Sequence, residues 1–313
     1  MQEGREFASM GPTSRVPRVR HEGKDPVGRS MEYHRPGSLS HACDLLRTLG
    51  PDAVPLAGGT DVMVDLRRRT LEPRHLVSLS GLEELREITC QDGSLRIGAL
   101  VTPAQLSASE QVSLSRPELL DAVGVFGTPQ VRHRATVGGN LCTAASCGDL
   151  APLLLALGAR VVVVNPDGVQ ELSLEAFFGD HRETILEPGH LLAEVILPER
   201  VPGEGAAYQA FGLRATNFIT VASVASFLRS EGGRCTAARL ALGAVAPTPM
   251  LVPAVEDGLV GGSLGDDDLA EIGAVAGRAA TPISDIRGSA EHRRELVERL
   301  CVRALGIARE RAQ

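Results

Sequence analysis

Two glycine pairs, eighty positions apart, constrain this chain more than any other feature. The first stands in Leu56-Ala57-Gly58-Gly59-Thr60-Asp61-Val62, where a short apolar strand over residues 55–57 runs into a helix-like segment. The second stands in Thr136-Val137-Gly138-Gly139-Asn140, within a longer run of glycines and small hydroxyl and amide side chains from Arg134 to Asp149. Successive backbone N–H groups in a glycine turn converge on a concavity that favours anions, and the start of a following helix adds its positive dipole end. A Cβ at such a position would hold a phosphate away or forbid the dihedral angles. Thr60, Thr136 and Asn140 can add side-chain donors. A single glycine pair marks an ordinary tight turn more often than a ligand; two in this arrangement can clamp one diphosphate from both sides.

Asp149 cannot face a phosphate without repulsion. So close to the second loop, its carboxylate is expected to accept bonds from the hydroxyls of a ribityl or ribose chain. Its plain alternative is to cap the apolar helix that follows it, residues 150–157. The ligand these residues describe is a nucleotide carrying a polyol. A Rossmann site is excluded because no GxGxxG occurs in the chain, and a P-loop because GxxxxGK followed by Ser or Thr is also missing.

The pair Ala57-Gly58-Gly59-Thr60-Asp61 and Thr136-Val137-Gly138-Gly139-Asn140, in this order and spacing, resembles the FAD-binding subunit of the molybdenum hydroxylases, the xanthine dehydrogenase and carbon monoxide dehydrogenase family. The resemblance covers residue 31 to the C-terminus. It extends to Phe126, where the family places an aromatic beside the flavin ring, and to Leu191-Leu192-Ala193-Glu194-Val195, similar to a strand that lays an aliphatic residue, Leu192, against the isoalloxazine. Phe126 and Leu192 would otherwise be core residues. Asp285-Ile286-Arg287-Gly288-Ser289-Ala290-Glu291-His292-Arg293 resembles the family's lead-in to its last helix. One position departs from the pattern: many members carry a lysine near the flavin where this chain has Ala210, and Arg214 is the next cation along.

The resemblance implies an α+β architecture: a vanillyl-alcohol-oxidase-like, PCMH-type FAD-binding domain in two lobes, followed by a C-terminal antiparallel sheet with helices. It implies FAD, expected to bind noncovalently because no histidine stands in either glycine loop and Cys142 and Cys147 have a packing role, with molybdopterin on a large partner subunit and two [2Fe–2S] clusters on a small one. This chain's FAD would collect electrons from the clusters and pass them to NAD or another acceptor. Catalytic side chains are not expected, since the cofactor carries the chemistry and the protein supplies orientation and electrostatics.

Composition agrees. The chain has 313 residues, 43% of them hydrophobic, enough for two or three packed units. A net charge of -7 argues against a nucleic-acid surface. Arg67-Arg68-Arg69, the densest basic cluster, reads as the solvated end of a helix. No apolar run approaches a membrane span, and residues 1–30 are polar, without a secretory core, so a disordered extension and a cytoplasmic protein are expected. The six cysteines form no CxxC pair, which leaves no metal set legible by spacing. Cys142 and Cys147 share one loop and read as small, half-buried fillers.

Helical spacing begins after Ser38 with Leu39, Ala42, Leu45, Leu46 and Leu49, and Gly50-Pro51 stops it. Strands are expected at residues 75–79 and 95–99, a helix at Thr102-Pro103, another over 117–125, and a hairpin of 161–164 with 169–172 about Asn165-Pro166-Asp167-Gly168. The Pro- and Gly-rich stretch 197–205 reads as a linker, giving an FAD domain over 31–200 and a C-terminal domain over 206–313. The latter should hold strands 206–213, 218–228 and 235–243, then helices 268–280 and 291–311, the last burying Leu296, Leu300, Cys301 or Val302, and Leu305. Two other function classes compete: a self-sufficient flavin oxidase, which would need catalytic bases beyond Arg214, Asn217 and Tyr208, and a non-enzymatic nucleotide-binding module.

Overall fold

A computed structural model describes residues 31–313, and the extension expected over 1–30 lies outside the described residues. In the first half, strands β1 (Glu32–His34), β2 (Ala53–Leu56) and β3 (His75–Ser78) alternate with helices α1 (Leu39–Leu49) and α2 (Val62–Arg68). Strands β4 (Ile88–Gln91) and β5 (Ser94–Gly98) then lead into α3 (Pro103–Ala108), α4 (Glu110–Ser115), α5 (Leu119–Val125), α6 (Pro129–Arg132), α7 (Val137–Thr143) and α8 (Leu150–Ala156). After them come β6 (Arg160–Asn165), β7 (Gly168–Ser173), α9 (Leu174–Phe177), the short β8 (Phe178–Asp180) and β9 (Glu183–Thr184), and β10 (Leu191–Leu197). The C-terminal part contains β11 (Glu204–Phe211), β12 (Ala222–Glu231), β13 (Arg234–Gly243), β14 (Met250–Leu251), α10 (Ala254–Leu259), α11 (Asp266–Ala279) and α12 (Ala290–Arg311).

The first lobe is a parallel sheet in the order β1-β3-β2, backed by α1. Ser38 caps that helix as its sequence predicts, accepting from His41 N–H. The second lobe is a sheet in the order β4-β5-β10-β6-β7, antiparallel throughout. The predicted hairpin forms, with Asn165 opposite Gly168. Thr102 builds a full capping box with Gln105. The C-terminal sheet runs β11-β12-β13-β14 and packs on α10, α11 and α12.

Three expectations shift. The strand expected over 218–228 starts only at Ala222, because residues 212–221 form a loop closed by Val221 N–H donating to Phe211 O. The expected helix 117–125 begins at Leu119, because the chain turns at 116–118 to put Arg116 inside, 1% exposed. On α12 the buried stripe is Val297, Cys301, Ala304, Leu305 and Ala308, so Cys301 is the buried member of the expected alternatives, while Leu296 and Leu300 are only partly buried.

The linker is not a free hinge. Arg116 donates to Pro198 O and pairs with Glu118 and with Glu204, the first residue of β11, at 3.4 and 3.2 Å. A buried guanidinium retained in this way needs all its partners, so the connection between the two parts is fastened. The cores are also continuous across it: α8 is buried on every side, and its leucines share one apolar cluster with Tyr208, Ala225 and Phe227 of the C-terminal sheet.

Candidate functional site

The first glycine loop leaves β2 at Leu56 and enters α2 at Val62. Gly59 has φ +75°, a left-handed conformation that residues with a Cβ rarely adopt. Among the described residues, the backbone N–H groups of Gly58, Gly59, Thr60 and Asp61 donate to no protein acceptor. Four consecutive free donors are the anion-binding arrangement expected of this loop. Since α2 has only seven residues, the loop itself and not a helix dipole supplies it.

The second loop is built differently. Val137 N–H donates to Val101 O (2.9 Å), Gly138 N–H to Ala99 O (2.8 Å), and Asn140 N–H to Thr136 O (2.9 Å). Gly139 N–H goes to Thr136 Oγ1 at 3.0 Å, so Thr136 is the cap of α7 and its side chain is already engaged. These bonds correct the expectation of two equivalent backbone cradles. Packing explains the glycines instead: a Cβ on Gly138 would lie 2.6 Å from Ala99 Cβ and 2.8 Å from Ala99 O. Gly58 in the first loop has the same explanation, because its Cβ would lie 1.9 Å from Arg134 O. The close contact sets the two loops side by side.

Between them opens a cavity of about 210 Å³ lined by Thr60, Asp61, Phe126, Val131, Ala135 and Asn140. Asn140 lines this cavity, and its Oδ1 is buried with no hydrogen-bond partner among the described residues. An orphaned acceptor lacks a donor, so what it awaits is a hydroxyl or N–H and not a phosphate oxygen. Phe126 is 7% exposed and serves as both core residue and cavity wall. Its loop is fixed by Arg132, whose Nη1 donates to Phe126 O at 3.2 Å. Leu192, 4% exposed, lies at a bulge in β10, packs in the same core cluster as Phe126 and is not itself a lining residue.

Asp149 does not cap α8 through its side chain. It accepts hydroxyl bonds, as expected of it, but from the protein: Tyr208 at 3.0 Å and Thr220 at 2.6 Å, both to Oδ1. Burial pushes its pKa up to about 6, against the opposing pull of the two hydroxyls. Burial, then the Asp149 charge, also pushes the Tyr208 hydroxyl well up. Cys142 is pushed up to about 12 by burial alone, and Cys147 is raised by burial and by Asp149. Both thiols are therefore protonated and poor nucleophiles.

Arg214 lies exposed on the loop after β11 and does not replace a lysine at Ala210, which is half-buried on that strand. The cations whose charge reaches Cys147 are Arg287 and Arg182. Arg287 is bound to Asp285, whose carboxyl it holds well below the usual range with help from Arg293. Arg293, 3% exposed, donates onward to Val221 O and Ala244 O, tying the start of α12 to the ends of β12 and β13.

Sequence reasoning missed Val131 and Ala135 on the cavity wall and the partners of Asp149. The first two had a local signal in Thr128-Pro129, a cap and first-turn proline that start α6. Tyr208 and Thr220 had none, standing 59 and 71 positions from Asp149.

Comparison with known proteins agrees with this architecture. The family model described as "FAD binding domain in molybdopterin dehydrogenase" matches residues 29–200, and that of the "CO dehydrogenase flavoprotein C-terminal domain" matches residues 206–308. The chain is 32% identical over 284 residues to the carbon monoxide dehydrogenase medium chain of Afipia carboxidovorans, covering 91% of this chain and 98% of the relative. It is 32% identical over 279 residues to the xanthine dehydrogenase FAD-binding subunit of Escherichia coli O157:H7, covering 88% and 95%. Among solved structures, carbon monoxide dehydrogenase from Hydrogenophaga pseudoflava superposes with a TM-score of 0.88 at 30% identity, over 91% of this chain and 99% of the other.

Proposed function

This chain belongs to the molybdenum hydroxylase family as an FAD-binding medium subunit, and on that premise we propose which residues hold the cofactor and between which groups it works. It is the flavoprotein, electron-transfer subunit of a molybdopterin hydroxylase complex, an oxidoreductase component that binds FAD noncovalently. The observation that carries the residue assignment is the row of N–H donors at Gly58, Gly59, Thr60 and Asp61 left free among the described residues, beside a cavity that Thr60, Asp61 and Asn140 line together.

In this reading the free N–H groups hold the diphosphate, with Leu56, Ala57 and Val62 framing the turn. Asn140 Oδ1 accepts from a hydroxyl or ring N–H, and Asp61 from a hydroxyl. Phe126 walls the cavity, and Asp149 keeps Oδ2 for the ligand while Oδ1 holds the C-terminal part in place. Thr136, Val137, Gly138 and Gly139 act indirectly, by seating α7 so that Asn140 lines the cavity. Leu192 supports the site from the core. Residues 31–200 thus carry the cofactor and 206–313 close against them. The chemistry supplied by bound FAD is the conversion of single electrons into a two-electron transfer.

Family architecture implies a molybdopterin large subunit and an iron–sulfur small subunit. Electrons enter from the [2Fe–2S] clusters of the small subunit and leave to NAD or another acceptor, and the substrate does not touch this chain. No helix among the described residues is long and apolar enough to cross a membrane. Six free cysteines favour work in the reducing cytoplasm.

The test is co-expression with and without the two partner subunits, followed by size-exclusion chromatography and substrate addition. The flavin absorbance should bleach in the assembly and stay unchanged in the isolated chain. Bleaching of the isolated chain by substrate alone would overturn the subunit reading in favour of a self-sufficient oxidase.

A further inference from the structure

Strand β1 carries Glu32 and His34 two residues apart, hence on one face, and its parallel pairing sets Glu32 opposite His75 of β3. Three polar side chains meet there from positions as much as 43 residues apart in number. His34 Nε2 lies 3.1 Å from His75 Nδ1, His75 Nδ1 lies 3.3 Å from Glu32 Oε2, and His34 Nε2 lies 3.8 Å from that same oxygen. The imidazole side chains are 24% and 19% exposed, and the carboxylate is 65% exposed, so the group opens to solvent on one side.

A triangle with these sides has its centre about 2.0 Å from each corner, the ordinary bond length of zinc to imidazole nitrogen and carboxylate oxygen. Two imidazoles and one carboxylate suit Zn²⁺ or a neighbouring transition metal, and they are a poor set for Mg²⁺ or Ca²⁺, which prefer oxygen. The plain alternative is one proton shared between the two rings. In that arrangement one ring N–H is divided between the other ring and the carboxylate, whereas a dication draws a lone pair from each of the three atoms. We propose that Glu32, His34 and His75 form a divalent transition-metal site, with Zn²⁺ as its occupant and water completing the coordination.

The position defines the role. His75 also pairs with Ala53 at the start of β2, while the flavin loop leaves the far end of that strand after Leu56, three residues and roughly 10 Å along. A metal here fastens β1 to the sheet and does not touch the cofactor. Its three protein ligands all come from this chain.

The experiment uses the full-length, untagged, FAD-loaded protein, stripped with a chelator and titrated with Zn²⁺ by calorimetry, with Co²⁺ absorbance as the probe of coordination. One equivalent of Zn²⁺ should bind and raise Tm. Binding should vanish in the His34→Ala/His75→Ala double variant. In Glu32→Gln it should weaken by more than the roughly 10–100-fold typical of losing an outer-shell partner. The exposed position of Glu32 keeps that variant folded, so it decides the matter even if the double variant misfolds. The visible flavin spectrum should be the same in every form. Absence of saturable Zn²⁺ binding in the parent protein, or unchanged affinity in Glu32→Gln, would overturn the site.

Discussion

The two glycine-pair loops look alike on paper and do opposite things. In the first, Gly59 takes a left-handed conformation and four successive N–H groups stay free among the described residues. In the second, the N–H groups of Val137, Gly138, Gly139 and Asn140 are all engaged by protein oxygens, and the loop reaches the cavity only through the Asn140 side chain. Glycine serves three separate needs here: close packing at Gly58 and Gly138, a positive φ at Gly59, and room beside a helix cap at Gly139. A motif therefore reports that backbone is crowded or turned, and only hydrogen-bond accounting says whether a ligand is the reason.

The packing glycines should show the largest effect. In Gly58→Val and Gly138→Val the new Cβ meets Arg134 O and the Ala99 Cβ and carbonyl, none of which is the end of a flexible side chain. Each should lose more than about 4 kcal/mol and fail to give soluble folded protein. Soluble yield and far-UV circular dichroism measure this. Normal folding of either variant would break the distinction between packing and cradle glycines.

Next comes the contrast between Gly59 and Gly139. Replacing Gly59 with Val strains a left-handed backbone by roughly 1–2 kcal/mol and meets Leu56 and Met63 side chains at 3.2 and 3.4 Å, which the fold can survive. The free donors should then be displaced and the flavin-to-protein absorbance ratio should collapse. Gly139→Ala crowds Thr136 Oγ1 at 2.8 Å and frays the α7 cap, at a cost of about 1 kcal/mol, while retaining more flavin than Gly59→Val. Equal flavin loss in the two would mean that the second loop binds through its backbone after all.

What was legible in the sequence was local. The caps at Ser38 and Thr102, the β6–β7 hairpin and the turn at Gly59 each depend on a few adjacent residues. What was hidden depends on pairs far apart in the chain. The acceptors that engage the second loop's donors are carbonyls of Ala99 and Val101, and a carbonyl carries no residue identity. Likewise Arg116 finds Glu204 across 88 positions, so the run that reads as a linker is clamped at both ends. On α12 the sequence left Cys301 and Val302 as alternatives, since both are small and apolar, and the fold buries Cys301.

A smaller effect isolates the one polar atom that the second loop offers. Asn140→Ala removes a buried acceptor without a protein partner, so the apoprotein should keep or gain stability, since such an orphan costs about 1–3 kcal/mol. The same change should weaken FAD binding about tenfold, or about 1.4 kcal/mol. Thermal denaturation of the apoprotein and fluorescence titration with FAD give the two signs separately. Loss of apoprotein stability together with unchanged FAD affinity would make Asn140 a structural residue.

The smallest effect concerns the acid that follows the second loop. The folded pKa of Asp149 is raised from 3.8 to about 6 by burial, so the folded state binds the extra proton between those values. Stability contributed by the protonated form is complete below the unfolded pKa and is lost as pH rises from about 4 to about 6, after which the curve is flat. Asp149 is half-buried, so water screens part of the effect, and about 1 kcal/mol is expected from a shift that would reach about 3 in full isolation. In Asp149→Asn apoprotein that slope should disappear, while the bonds from Tyr208 and Thr220 can still fall on the amide oxygen. Denaturant midpoints measured at pH 4, 5, 6 and 7 test it. An unchanged slope in the variant would mean that the hydroxyls of Tyr208 and Thr220 outweigh burial and keep the carboxylate charged throughout, making Asp149 a fixed negative post between the two parts of the chain.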